Sequence, residues 1–286
     1  MNVRQKLAIF MALSLSMILL LAGCGTGEKT EKTGGSASNG GETDTFKVGM
    51  EAGYAPFNWT QLNDSDGGVK IDGNAEYAGG YDVEIAKKIA EGLGKKLVIV
   101  KTEWDGLVPG LTSGKLDAII AGMSPTEERK ESIDFTDNYY TSNFIMVVKK
   151  GGPFEEATSI QDFNGAKVTA QLNTSHYGVI EQIDGVKKQP AMDNFPAMRV
   201  ALESGMIDGY VSERPEGISA AAANENFAMV EFTEGFKADE EDTAIAVGLK
   251  KGSDLAEKIN EILAGISEEE RQNIMDTAIK NQPAAE

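Results

Sequence analysis

Two charged residues of opposite sign follow the same short passage written twice. LTSGKLDAII begins at Leu111 and LESGMIDGYV at Leu202, which sets Ala121 and Gly122 of the first copy opposite Ser212 and Glu213 of the second. The first copy runs on through Met123, Ser124, Pro125 and Thr126 to Arg129, whereas the second ends on Glu213. A guanidinium can hold a carboxylate with two parallel charge-assisted hydrogen bonds, and a carboxylate can hold an ammonium. Arg129 and Glu213 across one cleft would therefore complement an α-amino acid zwitterion. The backbone N–H and hydroxyl of Ser124 add neutral donors on the carboxylate side. Thr126, followed by Glu127 and Glu128, also reads as a helix N-cap.

The surrounding pattern supplies elements that can hold such groups. FKVGM reads as a strand, and GYDVEIAKKIAEGLG as a helix with Val83, Ile85, Ile89 and Leu93 near helical spacing and Gly94 at its end. KLVIVKT is a strand, WDGLVPGLTSG a short helix stopped by Gly114, and KLDAIIAG a further strand. The same order returns as GAKVTAQL, NFPAMRVALESG stopped by Gly205, and MIDGYVSE. Strands separated by helices imply βαβ units and a mainly parallel sheet, here twice over. The fold class expected is α/β, with two Rossmann-like lobes joined by two crossover strands. Those crossovers are read as FIMVVKK (144–150) and TAIAVGLKK (243–251). Lobe 1 then comprises 46–147 plus 244–286, and lobe 2 comprises 148–243. The polar stretch 61–79 reads as a loop. Two crossing segments make a hinge about which the lobes can close, and ligands of open α/β sheets bind beyond the carboxyl ends of the strands.

Composition narrows the setting. The chain has 286 residues and a formal net charge of -18, which repels nucleic-acid phosphates and excludes such a partner. Residues 1–23 carry Arg4 and Lys6 and then an apolar run, short for a membrane span and laid out like a secretory signal. That run ends in Leu21, Ala22, Gly23 and Cys24, which resembles a bacterial lipobox. Cys24 is the only cysteine, so no internal disulfide or thiolate cluster can form. Acylated there, the protein would be held on the outer face of the cytoplasmic membrane. The segment 24–45 is then a Gly-, Ser- and Thr-rich tether without core-forming residues.

Aromatic walls come from EAGYAPFNW and from EWDG: Tyr54 and Trp104 each follow an expected strand, on the cleft edge, while Phe57 is assigned to the core. With AGMSPTEERKESIDFTDNYYTS, GYDVEIAKKIA, WDGLVPGL and AQLNTS, these motifs resemble the polar amino acid binding proteins of ABC importers. That is solute-binding protein family 3, of the type II periplasmic-binding-protein fold. The resemblance spans about 46–280. It implies that Arg129 clamps the ligand α-carboxylate with Ser124 and Ser175, and that Gly122, beside Ala121, and Glu213 receive the α-ammonium. It further implies that Tyr54 and Trp104 sandwich the side chain and that Glu51 and Gln171 reach its far end. Glu213 stands where relatives often have Asp, and Asn173 where they often have Gly.

A carboxylate at Glu51 with Trp104 nearby suits a cationic side chain, arginine before lysine. Glutamine competes because Gln171 and Glu51 could serve a neutral amide, and cystine is a further alternative. The partners expected are a free L-amino acid and the permease subunits of an importer, with the protein monomeric, without cofactor or metal, and not an enzyme. A small dehydratase on the same scaffold would need a general base such as His176, the one histidine, yet no Ser/His/Asp set can be assembled around it. An amino acid sensor is the other rival.

Overall fold

The computed structural model describes residues 44–283. The signal reading of 1–23, Cys24 and all of the tether but its last two residues lie outside the described residues. Thr45, placed in the tether from sequence, already opens the first strand.

In chain order the first half comprises β1 (Thr45–Met50), β2 (Gly53–Tyr54), β3 (Asn58–Gln61), β4 (Val69–Lys70), β5 (Tyr77–Gly79), α1 (Tyr81–Gly92), β6 (Lys96–Lys101), α2 (Trp104–Thr112), β7 (Ala118–Ile119), α3 (Glu127–Lys130), β8 (Ile133–Thr141) and β9 (Phe144–Lys149). The second half comprises β10 (Lys167–Thr169), α4 (Ser175–Val179), β11 (Lys187–Lys188), α5 (Phe195–Ser204), β12 (Gly209–Glu213), α6 (Arg214–Ala223), β13 (Phe227–Val230), α7 (Glu240–Thr243), β14 (Ala244–Lys250), α8 (Leu255–Ala264) and α9 (Glu268–Asn281).

Two five-stranded sheets result, ordered β6-β1-β7-β14-β8 and β11-β10-β12-β9-β13. In each, four strands run in one direction and a single strand, β14 in the first and β9 in the second, lies antiparallel between the third and the outermost. The repeated passage occupies equivalent places in both. Gly114 (φ 80°) and Gly205 (φ 76°) end their helices in the left-handed region, where a side chain would be strained. The amide after each glycine reaches back to the last turn, Lys115 N–H to the Gly110 carbonyl at 3.0 Å and Met206 N–H to that of Ala201 at 2.9 Å.

The aspartate that follows then docks the incoming strand. The Asp117 carboxylate accepts the Lys47 amide at 2.8 Å, and the Asp117 amide donates to the Lys47 carbonyl at 2.8 Å. Asp208 does the same with Lys167, again at 2.8 Å for both bonds. The similarity of the two passages is thus a single device, a left-handed stop plus an aspartate that pins the parallel partner strand, used once per sheet.

The passage between sheets differs from the sequence reading. Phe144–Lys149 pairs with β12 and β13 over its whole length, so 144–147 run in the second sheet rather than the first. β14 pairs only with β7 and β8 of the first. Neither strand spans the gap itself. The chain crosses at Ser142 and Asn143 and returns through α7, where the Ser142 amide donates to the Thr243 carbonyl at 3.0 Å. The stretch 61–79 also departs from expectation: it supplies β4 and β5, which join β2 and β3 in a four-stranded antiparallel sheet, β2-β3-β5-β4, against the N-terminal end of α1. Strands of two or three residues are too short to show alternation.

One apolar core fills the first sheet and continues through Tyr54 and Phe195 to Met198, Leu202 and Tyr210 under the second. A separate cluster around Phe144, Met146, Phe163 and Val168 packs the other face of the second sheet. The chain therefore buries apolar surface across the line between the two sheets, with Tyr54 stacked on Phe195 at 4.3 Å and 11°. Such a pair contributes about 0.5–1.5 kcal/mol beyond the area it removes from water.

Candidate functional site

The ends of β1 and β10 meet. Glu51 follows β1 and Gln171 follows β10 closely, and the Gln171 amide donates to both Glu51 oxygens at 3.0 and 3.1 Å and to the Asp193 carbonyl at 3.1 Å. Glu51 is 8% exposed. Burial pushes its carboxyl up to about 7; the Gln171 bond opposes this, and the charges of Glu103 and Asp105 add to it. A carboxylate among other carboxylates in a low-dielectric pocket favours a cation as its next partner.

Arg129 is aimed by a capped turn. The Thr126 hydroxyl accepts the Arg129 amide at 3.4 Å and starts α3, which is the cap that the sequence suggests. The guanidinium then donates to the Ser124 carbonyl at 2.9 Å on its own side and to the Asn173 carbonyl at 2.8 Å on the other. Its carbon lies 5.1 Å from the Trp104 ring centroid. Burial lowers its pKa to about 10, so it stays cationic at neutral pH, and three of its five N–H donors remain for other partners. Asn173 has φ 55°, so the position where relatives often carry Gly is a left-handed one, which Asn tolerates better than most residues. Its amide also donates to Asp105 across the cleft at 2.8 Å.

The opposite pole collects buried polar atoms. Glu213 ends β12 and is fully buried, with neither carboxylate oxygen hydrogen-bonded among the described residues. His176 Nε2 lies 3.3 Å from one of these oxygens. The Tyr54 hydroxyl is likewise unpartnered, and burial followed by the charges of Glu213 and Glu216 holds its pKa well above the usual phenol range. Gly122 (φ 62°) passes so near Tyr54 that a Cβ there would lie 2.6 Å from the ring. Beneath it, the Gly122 amide donates to the Tyr139 hydroxyl at 3.3 Å, and Tyr139 and Asn58 donate to Asp82 at 2.7 and 2.8 Å. Burial raises the Asp82 carboxyl to about 7 against those two bonds.

Between the poles lies a narrow cavity. Of the residues expected from sequence, Tyr54, Trp104, Gly122, Ser124, Arg129, Gln171 and Ser175 line it. Glu51 joins through Gln171 and Glu213 through His176, while Ala121 is buried beside Gly122 and contributes backbone position. Two placements differ from expectation. Tyr54 is 3% exposed, stacked on Phe195 at 4.3 Å and tilted against Phe57 at 4.9 Å, so its ring is occupied by protein rather than open as one side of an aromatic sandwich. The hydroxyls of Ser124 and Ser175 both point at the Asp242 carbonyl, at 3.1 and 3.4 Å, and so tie the two sheets to the returning strap.

Phe195 and Thr174 also line the cavity and were not anticipated as site residues, and His176, considered from the sequence only as the base of a rival enzyme, lines it as well. Phe195 had a signal. It begins α5 as Trp104 begins α2, each at the same distance from the Ser-Gly stop of its copy. Extending the repeat back through the helix sets one aromatic opposite the other. Among the described residues no group of three or more His, Cys, Asp and Glu side chains is placed to hold a metal ion.

A model of the bacterial extracellular solute-binding proteins, family 3, matches residues 46–280. A probable histidine-binding protein of Campylobacter jejuni is 32% identical over 264 residues, covering 92% of this chain and 93% of its own. The arginine-binding extracellular protein ArtP of Bacillus subtilis is 30% identical over 254 residues, covering 86% and 90%. Among solved structures, an amino acid ABC transporter substrate-binding protein from Streptococcus pneumoniae bound to L-arginine superposes with a TM-score of 0.73 at 29% identity, covering 82% of this chain and 94% of that one.

Proposed function

This chain belongs to the bacterial extracellular solute-binding proteins, family 3, and we propose that it captures a free basic L-amino acid, arginine first, and delivers it to the permease of an ABC importer. Arg129 receives the α-carboxylate through its free N–H groups, and Glu213 with the Gly122 carbonyl receives the α-ammonium. The side chain runs between Trp104 and Phe195 toward Glu51, whose carboxylate pairs with the guanidinium. Closure of the two sheets about Ser142 and Thr243 traps it. Cys24 anchors the protein, as a monomer, to the outer face of the cytoplasmic membrane; labelling with a fatty-acid analogue that Cys24→Ser abolishes would test that part.

The observation that carries the ligand assignment is Glu51, buried at the far end of the cleft, raised to about 7, and held by one neutral amide with Glu103 and Asp105 adding negative charge. Micromolar binding of a ligand this size requires about -8 kcal/mol, inside the ceiling of about -1.5 kcal/mol per heavy atom. Calorimetry against arginine, lysine, histidine, glutamine and cystine tests it, with arginine tightest. Tight glutamine or cystine binding and none of arginine refutes it. The amide of Gln171 already seated on Glu51 supports glutamine as the second reading, since it shows that this carboxylate accepts a neutral amide.

A further inference from the structure

The mechanism above uses Glu213 but leaves its neighbour unemployed. His176 is the second residue of α4 and is 6% exposed, with its ring 4.9 Å from Phe144 of β9. Neither ring nitrogen has a hydrogen-bond partner among the described residues, and Nε2 faces a Glu213 oxygen at 3.3 Å. The imidazole also lines the cavity. A buried ring with two free nitrogens, placed between a ligand cavity and an unpartnered carboxylate, is poised to contact both.

We infer that His176 is a positioning and specificity-determining residue of the ammonium subsite, sharing Glu213 with the α-ammonium of the ligand and controlling by its own charge how strongly that subsite attracts a cation. Neutral, the imidazole can donate Nε2–H to Glu213 and fix the carboxylate facing the cavity, where it accepts the ammonium. Protonated, it becomes a counter-ion for the same carboxylate and repels the incoming cation. Capture therefore weakens as the imidazole gains its proton. This inference rests on the amino-acid reading of the site but not on which amino acid binds, because every one carries the α-ammonium.

The charged and titratable groups around the ring are few. Glu213 faces it from β12. The Tyr54 hydroxyl, from β2, adjoins Glu213 and is itself held protonated. Arg129, from α3, lines the same cavity at the carboxylate end, while β9 presents only Phe144. From α7, which follows Asp239, the group that reaches α4 is the Asp242 carbonyl, taken by the Ser175 hydroxyl. Glu216 is neutralised by Arg199, at 2.8 Å. Glu213 is thus the one acid in direct contact with the imidazole.

Because the chain has a single histidine, one imidazole NMR signal reports this charge without assignment ambiguity. The test measures Kd for L-arginine and L-glutamine from pH 8 to pH 5.5 in the parent and in His176→Gln, which keeps a donor but cannot become a cation. The readout is the ratio of Kd at pH 5.5 to Kd at pH 8, whatever the absolute affinity of the variant. For whichever ligand binds, the expected ratio is about five- to tenfold larger in the parent than in the variant, with the midpoint of the parent's loss at the midpoint of the imidazole signal. Glu51 also titrates here when arginine is the ligand, but equally in both proteins. Equal ratios in parent and variant, or midpoints that disagree, would overturn the inference. Binding of glutamine without arginine would overturn only the basic-ligand assignment. Binding of none of arginine, lysine, histidine, glutamine and cystine at pH 8 would overturn the amino-acid reading on which both rest; should one of the others bind alone, the ratio is read with that ligand.

Discussion

The two sheets are built alike and charged differently. Each has the same strand order, the same left-handed glycine stop and the same aspartate pinning its parallel neighbour. At three equivalent cleft positions the first carries Glu51, Trp104 and Gly122 and the second carries Gln171, Phe195 and Glu213. Only the first sheet runs on into a capped turn that supplies Arg129. Where the scaffold is duplicated the residues are constrained by backbone geometry; where the copies diverge, the residues line the cavity or stand directly behind its lining. Divergence between copies is therefore a guide to function that either half alone would not offer.

The comparison breaks most severely at Arg129, which has no counterpart in the second sheet. Arg129→Ala removes two charge-assisted bonds to the carboxylate and also the link to the Asn173 carbonyl. At roughly 1.5–3 kcal/mol per bond to a charged group, arginine binding falls at least a hundred- to a thousandfold, read by calorimetry. Undiminished binding would remove the basis for the site. Glu213→Gln comes next: losing one partner of a buried charge pair costs about 2–5 kcal/mol, and the loss falls on every amino acid alike.

Glu51→Gln makes the two β-strand ends equal and should sharpen the comparison differently. Arginine affinity drops about ten- to a hundredfold, with glutamine affected far less. The parent's stability without ligand also carries a pH signature. A carboxyl raised from 4.5 to about 7 in the folded state binds more protons than the unfolded chain in that window, so its contribution is present below about 4.5 and lost as pH rises through about 7. Asp82, raised from 3.8 to about 7, has the same sign. The melting temperature of the ligand-free protein should thus fall over that range, and Glu51→Gln and Asp82→Asn should each flatten the slope. A melting temperature that rises from pH 5 to 7 in the parent and is unaltered in both variants contradicts those environments.

Much of this was legible in the sequence because the signals were periodic or duplicated. The helical spacing in α1, the Ser-Gly stops and the charged residues just past strand ends each depend on local chain geometry, and local geometry is what a sequence writes down. The groups that escaped depend on what the second half places against the first. Tyr54 stands at a strand end as expected, yet its ring is packed against Phe57 and Phe195. His176 gains its meaning from Glu213, which lies at the end of β12, well beyond α4 along the chain. The hinge was misplaced by a few residues because the run from Phe144 to Val148 is uniformly apolar, which fits a crossing segment and a central strand equally well.

The smallest effects belong to the shared scaffold, and there the two halves should respond in parallel. Asp117→Asn and Asp208→Asn each leave a side chain of the same shape but weaken one charge-assisted bond to a strand amide, at 2.8 Å in both. Because both bonds are partly exposed to solvent, each substitution should cost only about 1 kcal/mol. That corresponds to a few degrees in melting temperature for a chain of this size. Neither residue reaches the cavity, so arginine affinity at saturating stability should move less than twofold. Denaturant unfolding of the two single variants and the double variant checks the argument: the sites lie in separate sheets without a shared partner, and independent sites add. Costs that differ several-fold, or a double variant far from the sum, would mean that the two aspartates are alike in sequence and hydrogen bonding but not in what they hold in place.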